Sequence, residues 1–144
     1  MRHLPAPRSA MITGSCLCAG VRYVIDGTID EVSICHCGQC RKASGGGGIA
    51  VCPLPSSRFR LLQGQDLLRE FRATPGKARV FCGRCGSPLY SCRDDLPDTL
   101  RVRLGSLDSP VTCANRYHIH VDSRASWDTL PEGEPRYPGA RPTA

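Results

Sequence analysis

The spacing of the cysteines constrains this chain more than any other feature. Seven of its ten cysteines fall into three groups: Cys16 and Cys18, then Cys35, Cys37 and Cys40, then Cys82 and Cys85. Sulfur-rich clusters of this kind are typical of zinc sites, because thiolates favour soft or borderline metals. The spacing therefore predicts metal binding before anything is known of the fold.

Counting ligands divides the seven cysteines into two sites. A structural zinc ion has four protein ligands, whereas a catalytic one typically has three and keeps one position open. The two outer pairs, at 16/18 and 82/85, would supply a closed structural zinc site and join distant parts of the chain. The central group, Cys35, Cys37 and Cys40, would hold a second, catalytic zinc ion with a free position.

Two other interpretations of the central group remain open. A fourth ligand from elsewhere, such as Cys52, Cys92, Cys113 or a histidine, would make the site purely structural. The C-x-x-C spacing of Cys37 and Cys40 also occurs in redox proteins, although a βαβ context is missing here. His36 lies between two of the cysteines, and we expect it to be packed or hydrogen-bonded rather than a ligand.

Composition bears on compartment and partners. The first eight residues lack the apolar stretch of a signal peptide, and no window approaches the roughly 18 apolar residues of a membrane helix. We therefore expect a reducing cytoplasm and no membrane partner. The net charge of +6 is scattered along the chain and only 6% of residues are aromatic, so the sequence argues against nucleic-acid binding.

Hydrophobic periodicity predicts a mainly β fold. Val21, Tyr23 and Ile25 alternate with neighbours on the opposite face, and Leu100 and Val102 alternate with arginines. We expect about nine short strands, little helix beyond a single turn at residues 41–44, and a single domain over residues 13–137. Residues 1–12 are predicted to be a loose extension, and residues from 131, including a tail at 138–144, a surface strap. Trp127 is expected to anchor this tail by packing.

An open zinc position predicts thiol chemistry. A thiol, with a free pKa of about 8.5, loses its proton when it coordinates and remains a nucleophile towards an aldehyde. Arg41 and Lys42 follow the central cysteines directly and could bind an anionic thiol. Gly45 and Gly46, in the run of glycines at 45–48, could allow a ligand to approach the backbone closely.

The same residues resemble the family of glutathione-dependent formaldehyde-activating enzymes. The matching stretches are residues 14–23, 35–45, 81–89, 104–108, 118–120 and 123–127. The resemblance implies a β-tent fold shared with a guanine-nucleotide-exchange-factor-like superfamily, a structural zinc ion on the outer pairs and a more labile one on the central cysteines. It also implies carbon–sulfur lyase or synthase chemistry on the adduct of glutathione and formaldehyde. Ala19 stands where the family usually has glycine.

The sequence therefore yields one main hypothesis and two rivals. The main one is a zinc-dependent enzyme acting on a thiol–aldehyde adduct, with a glutathione-like thiol and an aldehyde as partners. The first rival is a non-catalytic thiol carrier or a zinc-stabilised interaction module. The second is a nucleic-acid-associated domain, which only the positive charge favours.

Overall fold

The computed structural model describes residues 11–142 and confirms the predicted mainly β architecture. Within that range it contains ten strands, where the sequence predicts about nine, and one α-helix. The strands are β1 (Met11–Ser15), β2 (Arg22–Asp26), β3 (Val32–Cys35), β4 (Ile49–Pro55), β5 (Phe59–Gln63), β6 (Leu68–Thr74), β7 (Lys77–Cys82), β8 (Pro88–Arg93), β9 (Leu96–Arg103) and β10 (Arg116–Ile119). The helix α1 (Gly38–Ser44) is longer than the predicted turn and begins within the central cysteine group. No helix in this part of the chain has the length and hydrophobicity needed to cross a bilayer.

The strands form two sheets. The larger has seven strands in the order β10-β3-β4-β9-β8-β7-β6, and the smaller has three in the order β1-β2-β5. Neighbouring strands are antiparallel, except that β10 runs parallel to β3. The parallel pair places residues 116–119 beside the strand that leads into the central cysteines.

The main core lies between the two sheets. Tyr23 and Ile25 of the small sheet are fully buried and share a cluster with Cys52 and Val102 of the large sheet. The Tyr23 ring stacks on Phe59, with ring centroids 4.7 Å apart. Burying a large apolar side chain stabilises a fold by roughly 1.5–3 kcal/mol, so the alternating pattern seen in the sequence fixes which face of each strand turns inward.

Strand β4 continues through Pro53 and Pro55, although proline is normally excluded from the interior of a sheet. β3 pairs with β4 only at residues 49–51, whereas β9 pairs with it as far as Pro55. Beyond Val51 one side of β4 is therefore free of a neighbouring strand. A proline is tolerated there, because its missing N–H faces an unpaired edge.

The tail crosses the surface beside β10, as predicted for a strap. The His118 N–H donates to the Pro135 carbonyl at 2.9 Å, and the Tyr137 N–H donates to the His118 carbonyl at 2.9 Å. Trp127 does not anchor this segment: 68% of its surface is exposed, so the packing prediction is wrong. The segment is held by backbone pairing instead.

Backbone hydrogen bonding extends beyond both predicted boundaries of the domain, residues 13 and 137. Met11 and Ile12, assigned to the loose extension, are the first residues of β1. The rest of that extension lies outside the described residues. In the tail, the Gly139 carbonyl accepts a hydrogen bond of 2.8 Å from the His120 N–H.

Candidate metal centres

The outer cysteine pairs converge where the two sheets meet. Cys16 and Cys18 follow β1, Cys82 ends β7, and Cys85 lies in the next turn. The four Sγ atoms all lie within 4.8 Å of one another. The Cys16–Cys18 and Cys18–Cys82 sulfur pairs are 3.5 and 3.8 Å apart. Four sulfurs at about 2.3 Å from a tetrahedral ion would be separated by roughly 3.8 Å, so the donor set fits zinc.

Two tight turns present these four sulfurs. The Ala19 N–H donates to the Cys16 carbonyl at 2.9 Å, and the Gly86 N–H donates to the Cys82 carbonyl at 2.7 Å. Ala19 and Gly86 both have positive φ, at 61° and 81°. A glycine would adopt the Ala19 conformation without strain, which gives a physical reason for the glycine usual at this position in the family that the sequence resembles.

Hydrogen bonds prepare part of this set for metal binding. The Ser87 hydroxyl and N–H lower the pKa of Cys85 to about 5. The Gly20 N–H and Arg84 lower the pKa of Cys18, and the Arg84 Nε–H donates to the Cys18 sulfur at 3.2 Å. Since thiolates are the metal-binding form, these donors favour the state that a zinc ion requires.

The central cysteines also converge, although they come from three kinds of local structure. Cys35 is the last residue of β3, Cys37 is the N-cap of α1, and Cys40 lies in the first turn of that helix. The Cys40 N–H donates to the Cys37 sulfur at 3.3 Å. All three Sγ atoms lie within 4.8 Å of one another, so the sequence prediction that they form one group is confirmed.

Negative charge in this group is concentrated on one sulfur. Thiol donors from Cys35 and Cys37, together with Arg79, lower the pKa of Cys40 to about 4. The hydrogen bond to Cys40 and burial raise the pKa of Cys35. The Arg79 Nη2 atom lies 3.8 Å from the Cys40 Sγ. The Arg79 cation therefore offsets the negative charge of the thiolates. It would likewise offset the net negative charge of a metal ion bound by three thiolates.

In the described residues, 11–142, no fourth cysteine, histidine or carboxylate completes this group in the way that the outer set is completed. Cys52, one of the suggested fourth ligands, is buried in the core between the sheets. Cys92 and Cys113, the other two suggested cysteines, are partly buried, and neither belongs to either set. The protein therefore offers three sulfurs here and four at the other set.

The three cysteines lie at a cleft of about 1000 Å³ on the face of the large sheet that points away from the core. Its apolar walls include Ile49, Val51, Tyr117 and Ile119. Six cationic side chains also line the cleft. Arg93 and Arg141 are paired with Asp95 and Glu31, and the other four are Lys77, Arg79, Arg101 and Arg103. Sequence reasoning did not select these four. For Arg101 and Arg103, the visible signal was the alternation of arginines with apolar residues in β9.

The predicted substrate-contacting residues lie elsewhere. Arg41, Lys42, Gly45 and Gly46 do not line the cleft. Lys42 is exposed on α1, and Gly45 ends that helix in a left-handed conformation with φ of 76°. The glycine in closest contact with the cysteine group is Gly48, where a Cβ atom would lie 2.9 Å from the Cys35 carbonyl oxygen.

His36 is hydrogen-bonded, as the sequence predicts. Its Nε2 atom lies 2.8 Å from Nδ1 of His118, and its Nδ1 atom lies 3.2 Å from the Gly47 carbonyl. Burial lowers the pKa of His36. His118 and His120 do not share a strand face, because β10 ends at Ile119 and His120 has a φ of 55°. His118 binds His36, whereas His120 lines the cleft.

Most of the chain matches a known protein family. Residues 11–123 match the sequence model of the family described as "Glutathione-dependent formaldehyde-activating enzyme". The chain belongs to this family. A similar protein of Halomonas elongata, named "Putative glutathione-dependent formaldehyde-activating enzyme", is 27% identical over 125 residues, which cover 81% of this chain and 79% of the relative.

The fold has a solved counterpart. A crystal structure of a Rhodobacter sphaeroides protein superposes with a TM-score of 0.59 at 18% sequence identity. The match covers 87% of this chain and 98% of the other. At this identity the likeness concerns the fold alone.

Proposed function

We propose that this protein is a zinc-dependent carbon–sulfur lyase or synthase that forms or cleaves the S-hydroxymethyl adduct of a glutathione-like thiol and formaldehyde. Cys16, Cys18, Cys82 and Cys85 would hold a structural zinc ion. Cys35, Cys37 and Cys40 would hold a second ion at the cleft. Membership of the formaldehyde-activating family supports the reaction class.

One observation carries the proposal: three sulfurs converge at the cleft without a fourth protein ligand among the described residues. The outer set, built from the same residue type in the same chain, is complete with four. A three-ligand set that opens on a cleft is the arrangement of catalytic zinc, and a four-ligand set that joins two sheets is that of structural zinc.

The zinc ion supplies a Lewis acid that lowers the pKa of a thiol bound to it. The chain's own residues do the rest. Arg79 stabilises negative charge on the Cys40 sulfur. Ile49, Val51 and Ile119 limit water on one side of the three sulfurs, and a less polar surrounding strengthens the interaction between these charges.

The state of the cysteines fits this chemistry. All ten cysteines lie within the described residues, and all are free. Metal-binding thiols persist where disulfides do not form, so the proposal requires a reducing compartment such as the cytoplasm.

The test combines metal analysis with adduct formation. Wild-type protein should contain two zinc ions per chain and accelerate adduct formation between glutathione and formaldehyde over the uncatalysed control. Cys37→Ser should lose the acceleration and the labile ion. Its fold should persist, because serine is a good N-cap and keeps the start of α1.

Two results would reject the enzyme. If two equally chelator-resistant ions were found without acceleration, the protein would be an interaction module. If glutathione bound at the labile ion without acceleration, it would be a thiol carrier.

A further inference from the structure

The cleft floor has an apolar half and a cationic half, and strand register explains the division. In β9, Arg101 and Arg103 share a face because side chains two residues apart point the same way. Arg79 of β7 pairs with Ser91 of β8, which in turn pairs with Arg101. Residues directly opposite each other across a sheet share a face, so three arginines from two non-adjacent strands face the same side.

These cations are unusually buried for side chains without an acidic partner. Arg103 is only 5% exposed, and burial lowers its pKa to about 10, so it stays charged at neutral pH. The Nη1 atom of Arg79 is buried without a hydrogen-bond partner among residues 11–142. Burying an unpaired charged group is costly. Such groups mark a position where an anion would be stabilised.

The nearby carboxylates bind other residues. Asp94 binds Arg72 at 2.9 Å, and Asp95 binds Arg93 at 2.6 Å. On the far side, Glu31 binds Arg141 at 3.1 Å. Over the described residues no carboxylate pairs with any member of the set formed by Lys77, Arg79, Arg101 and Arg103.

The cysteine group balances only part of this positive charge. A zinc ion with three thiolates carries a net charge of −1, which one of the four cations offsets. Arg79 is the one that touches a sulfur. Among residues 11–142, Arg101 makes no hydrogen bond to a cysteine, and its strand lies two strands from β7. At a strand spacing of about 4.8 Å, its Cα lies on the order of 10 Å from that of Arg79.

We propose that Arg101, supported by Arg79 and Arg103, binds a carboxylate of the thiol substrate. This inference rests on the proposed function, since it assumes that the thiol group lies at the three cysteines. The Cα atoms of Arg101 and Arg79 are two strand spacings apart, so Arg101 adds a cationic position on the cleft floor beside the one that Arg79 supplies at the sulfurs. The planar guanidinium suits a carboxylate, because it donates two parallel hydrogen bonds.

Binding without the thiol group isolates this contact. The probe is S-methylglutathione, whose blocked sulfur cannot coordinate as a thiolate, and its diester, in which both carboxylates are neutral. Calorimetry should show that wild-type protein binds the acid at least about tenfold more tightly than the diester. Arg101→Gln should weaken binding of the acid by about tenfold or more, with little effect on the diester. Arg101→Lys should restore part of the affinity.

Arg60→Gln is the matched control, because it removes the same charge from the small sheet, where Arg60 pairs with Asp26 at 3.2 Å. We expect it to change the affinity for the acid by less than about twofold. Equal binding of acid and diester by wild-type protein would overturn the inference, whether or not the variants fold. An equal loss in Arg60→Gln and Arg101→Gln would also overturn it.

The outcomes separate this inference from the proposed function. If the protein accelerates adduct formation but Arg101→Gln binds S-methylglutathione as tightly as the wild type, only the carboxylate position is rejected. Binding that depends on Arg101 without acceleration supports the carboxylate position and rejects the enzyme.

Discussion

The Nε2 atom of His36 lies 2.8 Å from the Nδ1 atom of His118, behind the central cysteines. Both rings are almost fully buried, and they stack with centroids 5.1 Å apart. His36 is the residue between Cys35 and Cys37, and His118 belongs to the parallel strand beside them. This pair therefore ties the cysteine-bearing turn to β10.

We predict that replacing either histidine of this pair alone lowers the stability of the protein. His36→Phe or His118→Phe leaves a buried ring nitrogen unpaired and should lower the free energy of unfolding by about 2 kcal/mol. The double variant should cost less than the sum of the two, because no buried nitrogen is then left without its partner. Chemical denaturation of the four proteins measures this coupling. Strictly additive losses would show that the hydrogen bond contributes nothing.

The outer cysteine set should be essential to the fold. Cys82 is fully buried at the junction of the sheets. We expect Cys82→Ser to lose the structural zinc ion and more than about 4 kcal/mol of stability, which can prevent folding altogether. Zinc analysis and circular dichroism check this. Cys92→Ser is the control, since Cys92 is a half-buried cysteine of the same large sheet that lies outside both sets. A stable Cys82→Ser protein with full zinc content would contradict the prediction.

Arg79 should control how readily protons displace metal from the central set. The pKa of Cys40 is about 4 partly because Arg79 stabilises the thiolate. Protons compete for this sulfur only as the pH falls towards its pKa. Arg79→Gln raises that pKa, so metal release should begin at a higher pH, by roughly one unit.

A chromogenic zinc indicator, followed as the pH is lowered, measures this midpoint. Arg60→Gln removes an equal charge far from the cysteines and should leave the midpoint unchanged. The same midpoint in the wild type and in Arg79→Gln would show that Arg79 does not tune the site.

Within the glycine run at 45–48, substitution by alanine should destabilise the protein at one position and have little effect at another. A Cβ atom on Gly48 would lie 2.9 Å from the Cys35 carbonyl oxygen and 3.0 Å from Nδ1 of His36. We expect Gly48→Ala to cost about 1–3 kcal/mol and to weaken zinc binding at the central set. At Gly46 the nearest atoms are 3.8 Å away, so Gly46→Ala should change stability by less than about 0.5 kcal/mol. Thermal unfolding of the two variants gives the comparison, and an equal effect would exclude steric contact as the cause.

The sequence predicts those parts of the site that local chemistry determines. The grouping of Cys35, Cys37 and Cys40 follows from their spacing, and so does the pairing of 16/18 with 82/85 by ligand count. Alternating apolar residues likewise predict strands such as β2 and β9. In each case the signal is carried by residues near one another in the chain or by a fixed number of ligands.

The cationic side of the cleft could not be predicted in the same way. Arg41 and Lys42 were selected because they follow Cys40 directly, yet the cleft is lined by cations from β7 and β9. Their meeting depends on the register of Arg79, Ser91 and Arg101 across three strands. Their register depends on the turns at 83–87 and 94–95 and on an irregularity in each strand pairing, between Val80 and Phe81 and between Cys92 and Arg93, and residue spacing does not reveal these irregularities. The packing prediction for Trp127 was wrong for a related reason. The presence of a large aromatic residue in the sequence does not indicate whether another segment packs against it.

The separation of the outer pairs has a consequence for synthesis on the ribosome. Cys18 and Cys82 are 64 residues apart, and all of the central cysteines lie between them. If both sets bind zinc, as proposed, the nascent chain exposes the three ligands of the exchangeable ion before it can complete the four of the permanent one. The growing polypeptide could then bind the exchangeable zinc ion first, at a stage when the site that joins its two sheets has only two of its four cysteines.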